Sequence, residues 1–508
     1  MPVDHFEFKR IADAVHGTIG ISEVETAVID TAVFQRLHDV KQLGLAPLVY
    51  PGANYTRFSH CLGTCHVAGR IISTILRREG IEDRLETVQT YRLAGLLHDI
   101  GHLPFSHAME RAVQEQYGRS GGSNAGVEPG PKFSHETIGA LVVRNDKELR
   151  AALGAWAEKV EAVLAVDSKA PYRNIISSDL DADRLDYLLR TAHFTGLPYG
   201  SVDIDYIVSR VCLDDEGRVA LTRHGLRAAD QFLLSRYFDY RQVAYHKTTA
   251  GLEWILEDLI KAVLSVDNEY QLSRAGITDL IQQGRWKSIT DSFVREWISR
   301  RLASIEKYPS GTDSPESRAA ARTLRRKAEA FLDRRPPKMI GEIELFEGRP
   351  SHKEVGDRNP FQSTVDSLEA ALPELSKKFD VPLDRWHVWS SDIVLTKVGS
   401  HVPTSALYRR DENKAQKGSG YTDTIRLADR HRGKSRPIFE VPQSLTSFMA
   451  NYNMRIIRVY VLLDDNDGRG DEIQAYIMRA HPHEGWSDAV FGGAAFDAGQ
   501  PRVAKPLQ

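Results

Sequence analysis

The chain is poor in cysteine. It has three in 508 residues, Cys61, Cys65 and Cys212, which is too few for a disulfide framework and in keeping with a reducing compartment. It lacks any apolar run near the ~20 residues that span a bilayer, and its opening MPVDHFEFKRIADAV has no apolar signal core. The expected location is therefore the cytoplasm, with no membrane partner. A net charge of −3 excludes the broad basic surface of a protein that coats nucleic acid, so any anionic partner needs a focused site. There is no CxxC pair, so Cys61 and Cys65, beside His66, read as small buried helix residues in preference to a zinc site. Repeats with a period of about 20–50 residues are also missing.

What is present suits a globular chain of two or three domains, with 42% hydrophobic and 27% charged residues. From residue 21 to about 330 apolar positions recur three and four apart, as in VAGRIISTILRR (67–78) and GLEWILEDLIKAVLS (251–265), which predicts helix after helix. GRSGGSNAGVEPGPK (118–132) reads as a flexible loop and RVALTR (218–223) as a short strand. Residues 309–330 open with turn residues and pass into a charged helix. Beyond Pro336 the pattern changes, and HVWSSDIVLTKV (387–398), RIIRVYVLL (455–463) and EIQAYIMRA (472–480) read as strands. Between them the polar segment 409–436 reads as a mobile surface loop. The expected fold is mainly α: a helical core over 1–335, a smaller C-terminal α+β region over 336–493, and a disordered tail over 494–508.

The stretch AGLLHDIGHLPFSHAME (94–110) concentrates titratable groups at a helix end. Leu93, Leu96, Leu97 and Ile100 form an apolar stripe, and His98 and Asp99 fall where Gly101 breaks the helix. An ionised Asp99 buried there needs a partner, and a divalent cation would satisfy a neutral imidazole as well. His60 lies 38 residues earlier, in TRFSHCLG. Further on, SSDLDADRLDYLLR (177–190) spaces Asp179, Asp183 and Tyr187 four apart, on one expected helical face. Imidazoles and carboxylates together make a mixed N/O donor set suited to Mn, Fe, Co, Ni or Zn.

FQRLHDVKQLGLAPLVYPGANYTRFSHCLG (34–63), the 94–110 stretch, FSHETIG (133–139) and ISSDLDADRLDYLLR (176–190) occur in an order that resembles the HD-domain phosphohydrolases, in their deoxynucleoside triphosphate triphosphohydrolase branch. The likeness runs from about residue 5 to 265, with a weaker echo in RRPPKMIGEIE (334–344). The resemblance implies metal ligands His60, His98, Asp99 and Asp183. It also implies a catalytic group of His102, His107, Glu110 and His135, with His135 as general acid for the leaving 5′-oxygen. Arg57, Arg184 and Arg236 would bind phosphate with the Tyr187 hydroxyl; family members often carry Lys where Arg184 stands, and an Arg fork can hold two phosphate oxygens. Gln42 and Leu43 would face the nucleoside. The activity so implied is hydrolysis of a deoxynucleoside triphosphate to deoxynucleoside and inorganic triphosphate, with a transition metal at the ligands and Mg on the phosphates. The implied partners are a homo-oligomer (dimer, tetramer or hexamer), a nucleotide effector and weakly bound single-stranded nucleic acid.

The chain also departs from the family. Thr191 in LLRTAHF stands where a sugar-binding Asp is usual, and Ala244 in QVAYHKTT where an aromatic is, with Tyr245 beside it as a substitute. The GTP-effector positions of animal members match at Asp30, Gln35 and Arg36, but His38 replaces an Arg and Ala12 an Asn, which predicts no GTP requirement of that kind. Thr191 and Ala244 keep open a phosphohydrolase for another phosphoester: a nucleoside monophosphate, a modified nucleotide or a single-stranded DNA end. A third reading is a nucleotide-sensing oligomeric scaffold with regulation in residues 336–508. His102, His107 and His135 beside intact ligands argue against it, because binding alone needs no proton network.

Overall fold

In a computed structural model of the chain, the described residues are 6–82, 84–118, 134–165, 168–265, 270–307, 315–348, 360–393, 424–449, 452–481 and 483. The chain divides into two units, one of Met1–Pro336, Arg349–Glu354 and Ile393–Tyr452, the other of Pro337–Gly348, Val355–Asp392 and Asn453–Gln508. The expected flexible loop lies outside the described residues except for Gly118, and the expected tail lies wholly outside them.

The first unit opens with an antiparallel hairpin, β1 (Lys9–Asp13) and β2 (Gly17–Ile21). Its centre is α1 (Arg57–Arg78), whose buried residues His60, Cys61, Thr64, Cys65, Ala68, Ile71, Ile72 and Ile75 recur at helical spacing. Beside it runs α2 (Leu85–Leu97), buried at every position from Val88 onward. The site also draws on α3 (His107–Gly118), α4 (His135–Asn145), α5 (Ala182–Thr195), α6 (Leu226–Asp239) and α7 (Lys247–Leu264). Ser134 and Thr137 close a reciprocal cap at the start of α4. A π-turn, Tyr240–Ala244, follows α6, a feature that often marks functional segments. Ile71, Ile75, Leu185, Leu188, Phe232 and Leu233 join α1, α5 and α6 in one apolar core. Cys61 and Cys65 are fully buried thiols, pushed up by that burial.

The expected strand at 218–223 is β4 (Val219–Thr222), antiparallel to β3 (Val211–Leu213). β7 (Arg426–Ala428) adds to it in parallel, with Leu427 opposite Leu221, and β8 (Ser435–Pro437) closes the sheet. The described end of the expected mobile loop is thus ordered strand in the first unit. Buried Leu427 and Ala428 explain its order, although the surrounding composition is polar.

The second unit is a three-stranded sheet with β9 (Tyr452–Val461) between β5 (Lys338–Gly348) and β6 (Trp386–Ile393). Helices α8 (Pro360–Phe379) and α9 (Gly470–Ala480) pack Phe361, Val365, Leu368, Ile473 and Ile477 against Ile340, Trp386, Ile457 and Val459. One expected strand is corrected: residues 472–480 are helical, because the buried pair is Ile473 and Ile477, four apart. Asp471 and Glu472 in the first turn and Arg479 in the last suit the helix dipole. No helix among the described residues is long and apolar enough to cross a membrane.

Candidate functional site

His60 sits in the first turn of α1, His98 and Asp99 just beyond the end of α2, and Asp183 in the first turn of α5. The fold brings these termini together. His60 Nε2 lies 3.2 Å from His98 Nε2 and 3.1 Å from Asp183 Oδ1. Asp99 adds Oδ2 at 3.7 Å from His60 Nε2 and Oδ1 at 3.3 Å from His98 Nε2. Each imidazole is aimed through its other nitrogen: His60 Nδ1 is 2.7 Å from Asp186 Oδ2, and His98 Nδ1 is 2.8 Å from the Gly95 carbonyl. Asp183 keeps 31% of its side chain exposed, against 0% for His60, 10% for His98 and 6% for Asp99, so the cluster opens on the Asp183 side.

The donor set fits a divalent cation. Burial disfavours a proton on His60, yet hydrogen bonds to Asp183 and Asp186 push its pKa up to about 9. Burial likewise disfavours charge on Asp183, but His60 and His98 hold it well below the usual carboxylate range. Two nitrogens and two carboxylates that favour positive charge between them are what a borderline transition metal takes.

Beside this cluster, His102 Nε2 lies 3.2 Å from Asp99 Oδ1, and its ring stacks on His135 with centroids 3.8 Å apart and 12° between planes. Glu110 Oε1 is 3.1 Å from His135 Nδ1 and stands 3.6 Å from His102 Nδ1, which has no hydrogen-bond partner among the described residues. His60, His98 and Asp183 form one group whose ligand atoms lie within 4.8 Å of one another, whereas Asp99 falls in a second such group with His102 and His135. The stack depends on Gly101: a Cβ there would meet Gly139 N at 2.1 Å and the His135 carbonyl at 2.3 Å. The glycine thus ends the helix less by backbone freedom than by letting α4 approach. The two stacked imidazoles shift in opposite directions. Burial, with the Arg57 and His135 charges, holds His102 well below its ordinary value. Burial opposes the proton on His135, but Glu110 overcomes it and raises the pKa. His107 is the outlying member, 69% exposed, with Nδ1 3.4 Å from Glu110 Oε2.

Arg57, 3% exposed, donates to Asp99 through Nη1 and to Ser106 Oγ at 2.5 Å through Nη2. Phe105 and Ser106 hold φ of 52° and 50°, a left-handed conformation costly for residues with a Cβ. Asp291 Oδ1 fixes that turn by accepting from Phe105 N at 3.1 Å. Arg184 donates to Asp181 Oδ2 at 2.5 Å and to the Ser178 carbonyl, and Arg236 donates to Asp179 Oδ1 at 3.2 Å beneath the Tyr240 ring. One expectation is corrected here. Asp179 does not share a helical face with Asp183, because Asp181 caps α5 through Arg184 N at 2.8 Å and leaves Asp179 in the preceding loop.

The expected nucleoside residues lie farther out. Tyr187 is half-buried on α5, and Thr191 Oγ1 is 2.8 Å from the Tyr55 hydroxyl. Gln42 N donates to the Tyr55 carbonyl at 3.3 Å, while its buried Oε1 has no partner among the described residues. Leu43 and Tyr245 are half-buried, the latter 5.5 Å from the Tyr240 ring. Arg36 points inward: it donates to the Ile289 carbonyl at 2.7 Å and the His102 carbonyl at 2.6 Å and lies over Trp286. Gln35 donates to the Ile29 carbonyl at 2.8 Å, and His38 stacks on Phe58. Asp30 is 68% exposed, and Ala12 sits in β1.

Sequence reasoning missed the residues behind the metal cluster. Asp186 Oδ1 accepts from Arg190 at 2.7 Å and lies 2.7 Å from His16 Nε2, and Arg190 reaches Asp13 at 2.8 Å. Gly63 makes room for this network, since a Cβ there would lie 1.8 Å from Asp186 Oδ1. The Asp186 and Arg190 spacing of four was the available signal; His16 and Asp13, in the opening hairpin, gave none. Asp239, at the end of α6, was missed too.

Residues 57–191 match the HD domain. An uncharacterised protein of Methanocaldococcus jannaschii is 32% identical over 301 residues, which is 58% of each chain. The deoxynucleoside triphosphate triphosphohydrolase SAMHD1 homologue of Dictyostelium discoideum is 27% identical over 314 residues, 59% of this chain and 56% of the relative. The chain therefore spans somewhat over half the length of these relatives. The crystal structure of a phosphohydrolase from Bacteroides thetaiotaomicron superposes with a TM-score of 0.61 at 21% identity, covering 89% of this chain and 99% of that one, a likeness of fold.

Proposed function

Starting from its membership of the HD-domain family, we propose that this chain is a metal-dependent phosphohydrolase that cleaves deoxynucleoside triphosphates to deoxynucleoside and inorganic triphosphate. The observation that carries the reading is the convergence of His60 Nε2, His98 Nε2 and Asp183 Oδ1 on one partly open point, with Asp99 beside them and a stacked imidazole pair next to Glu110. His60, His98, Asp99 and Asp183 would hold a divalent transition metal, which, when bound, lowers the pKa of water and neutralises phosphate charge.

The protein's own groups do the rest. Arg57 lines the wall beside Asp99, and Arg184 and Arg236 with Tyr187 bind the triphosphate. Their fixed charges then meet the charge that grows as water adds to the α-phosphorus and the bond to O5′ breaks. His135, raised by Glu110, delivers a proton to O5′, and His102, held below its ordinary value, packs its ring face on His135 with Nε2 against Asp99 and so keeps the acid in place. Exposed His107 exchanges protons with solvent through Glu110. Gln42, Leu43, Thr191 and Tyr245 bound the nucleoside. His38, stacked on Phe58, and Ala12 stand where animal members carry Arg and Asn, so a GTP requirement of that kind is not expected.

Incubation of the wild-type chain with each deoxynucleotide and Mn²⁺, followed by chromatography, tests this. Monophosphate with pyrophosphate would contradict the mechanism, and no hydrolysis at full metal loading would refute the function. The Thr191 hydroxyl engaged by Tyr55 supports a second reading, a phosphohydrolase for another phosphoester such as a DNA end. Product release from a labelled oligonucleotide, abolished in His98→Ala, would favour it. For the second unit we propose a regulatory or oligomerising role, tested by assembly state and nucleotide response after its truncation.

A further inference from the structure

Asp239 is a carboxyl group that the mechanism above leaves unused. It ends α6, is 6% exposed, and takes the Tyr199 hydroxyl on Oδ1 at 2.7 Å. Among the described residues no cation lies within ion-pair distance of it; Arg236 donates to Asp179, and its charge favours the ionised carboxylate from farther off. Burying a carboxyl with one hydroxyl partner is costly, and an ionised carboxylate has capacity for further donors. Burial pushes its pKa up to about 7 despite the Tyr199 bond.

Its position gives that capacity a direction. Asp239 follows Arg236 by three residues, so it lies one turn farther along the same side of α6. On α5, Asp183, Tyr187 and Thr191 recur four apart, leading from the metal cluster towards the Tyr55 and Thr191 hydroxyl pair. Burial, with Tyr240 and Asp239 as neighbouring charges, raises the Tyr187 phenol; burial, with Asp239 again nearby, raises that of Tyr55. Asp239 therefore belongs to the hydroxyl-rich patch of Tyr55, Tyr187, Thr191 and Tyr199. Gln42, whose main chain donates to the Tyr55 carbonyl, carries a buried Oε1 with no hydrogen-bond partner among the described residues.

We propose that Asp239, oriented by Tyr199, accepts a hydrogen bond from the 3′-hydroxyl of the bound deoxynucleotide and so selects for an intact sugar. A deoxyribose in a 5′-triphosphate has only that hydroxyl to offer. The inference rests on the reading of the substrate as a deoxynucleoside triphosphate, and the test separates the two. Calorimetry on the full chain with Mn²⁺ compares the four α,β-imido deoxynucleoside triphosphates with their 2′,3′-dideoxy counterparts.

The wild type binds the 3′-hydroxyl ligands about 10- to 100-fold more tightly, the scale of a hydrogen bond to a charged acceptor. Asp239→Asn and, independently, Tyr199→Phe bring that ratio towards parity and leave affinity for the dideoxy ligands unchanged. Equal affinities in the wild type, or a preference that survives both substitutions, overturn the inference. Binding with the expected preference, but without turnover of the natural deoxynucleotides, refutes the phosphohydrolase reading and supports the role of Asp239. Failure to bind any of the eight ligands overturns both.

Discussion

Replacing Asp186 by Asn should weaken the metal site and the fold together, although Asp186 is not a ligand. Its side chain is 0% exposed; Oδ2 meets His60 Nδ1 and Arg190 Nε, and Oδ1 meets His16 Nε2 and Arg190 Nη2. Asn keeps the shape but loses the charge, so Arg190, 1% exposed, is left with Asp13 as its one carboxylate among the described residues. Breaking a buried pair by neutralising one member typically costs about 3–5 kcal/mol. Over a unit of roughly 400 residues, the unfolding entropy converts that to a melting shift of about 4–6 °C. The lost bond to His60 also frees its ring and tautomer, and losing such an orienting partner lowers metal affinity by about 10- to 100-fold. Thermal unfolding of the full chain with and without Mn²⁺, with metal content measured after dialysis, reads both effects. Wild-type melting and wild-type metal retention in Asp186→Asn would refute the view that this carboxylate positions His60.

Other substitutions probe neighbouring parts of the account. Gly101→Ala forces a Cβ to within 2.1 Å of Gly139 N and 2.3 Å of the His135 carbonyl, so it should separate the stacked imidazoles and reduce turnover while metal content stays normal; unchanged turnover would contradict it. His135→Ala should lower kcat by about 10²- to 10⁴-fold, the usual loss of a general acid, with metal content intact; loss of metal instead would make His135 a ligand. Asp239 holds its proton more tightly folded than unfolded, with its pKa pushed up to about 7, so its ionisation opposes folding. The penalty is absent below about pH 4 and complete above about pH 7, approaching ~4 kcal/mol. The melting gain of Asp239→Asn over wild type should therefore grow from pH 5 to pH 8, and a flat difference would count against a buried carboxylate there.

The helical body was legible because apolar residues recur at helical spacing; His98 and Asp99 at a buried helix end pointed to a cation, while the full expected ligand set of His60, His98, Asp99 and Asp183 came from the family resemblance. EIQAYIMRA misled because a short run with scattered apolar residues fits both periods, and the helix won through Ile473 and Ile477. Asp179 misled because spacing alone does not say where a helix begins; the cap at Asp181 decided it. The stacking of His135 on His102 could not be read from the residues themselves. It needs a contact between Gly101 and Gly139, 38 positions apart in sequence, that no local pattern encodes. Residues 426–437 were opaque for the same reason, since their order comes from a parallel pairing with a strand about 200 residues earlier.

The proposed reaction at His60, His98, Asp99 and Asp183 is hydrolysis of deoxynucleoside triphosphates at the α-phosphorus. The most direct test is to run the reaction of the Mn²⁺-loaded chain with a single deoxynucleotide, without GTP, in ¹⁸O-labelled water and to weigh the products. The account predicts unlabelled deoxynucleoside and inorganic triphosphate carrying one ¹⁸O. Label in a monophosphate or in orthophosphate, or no product from wild type at full metal occupancy, would contradict it.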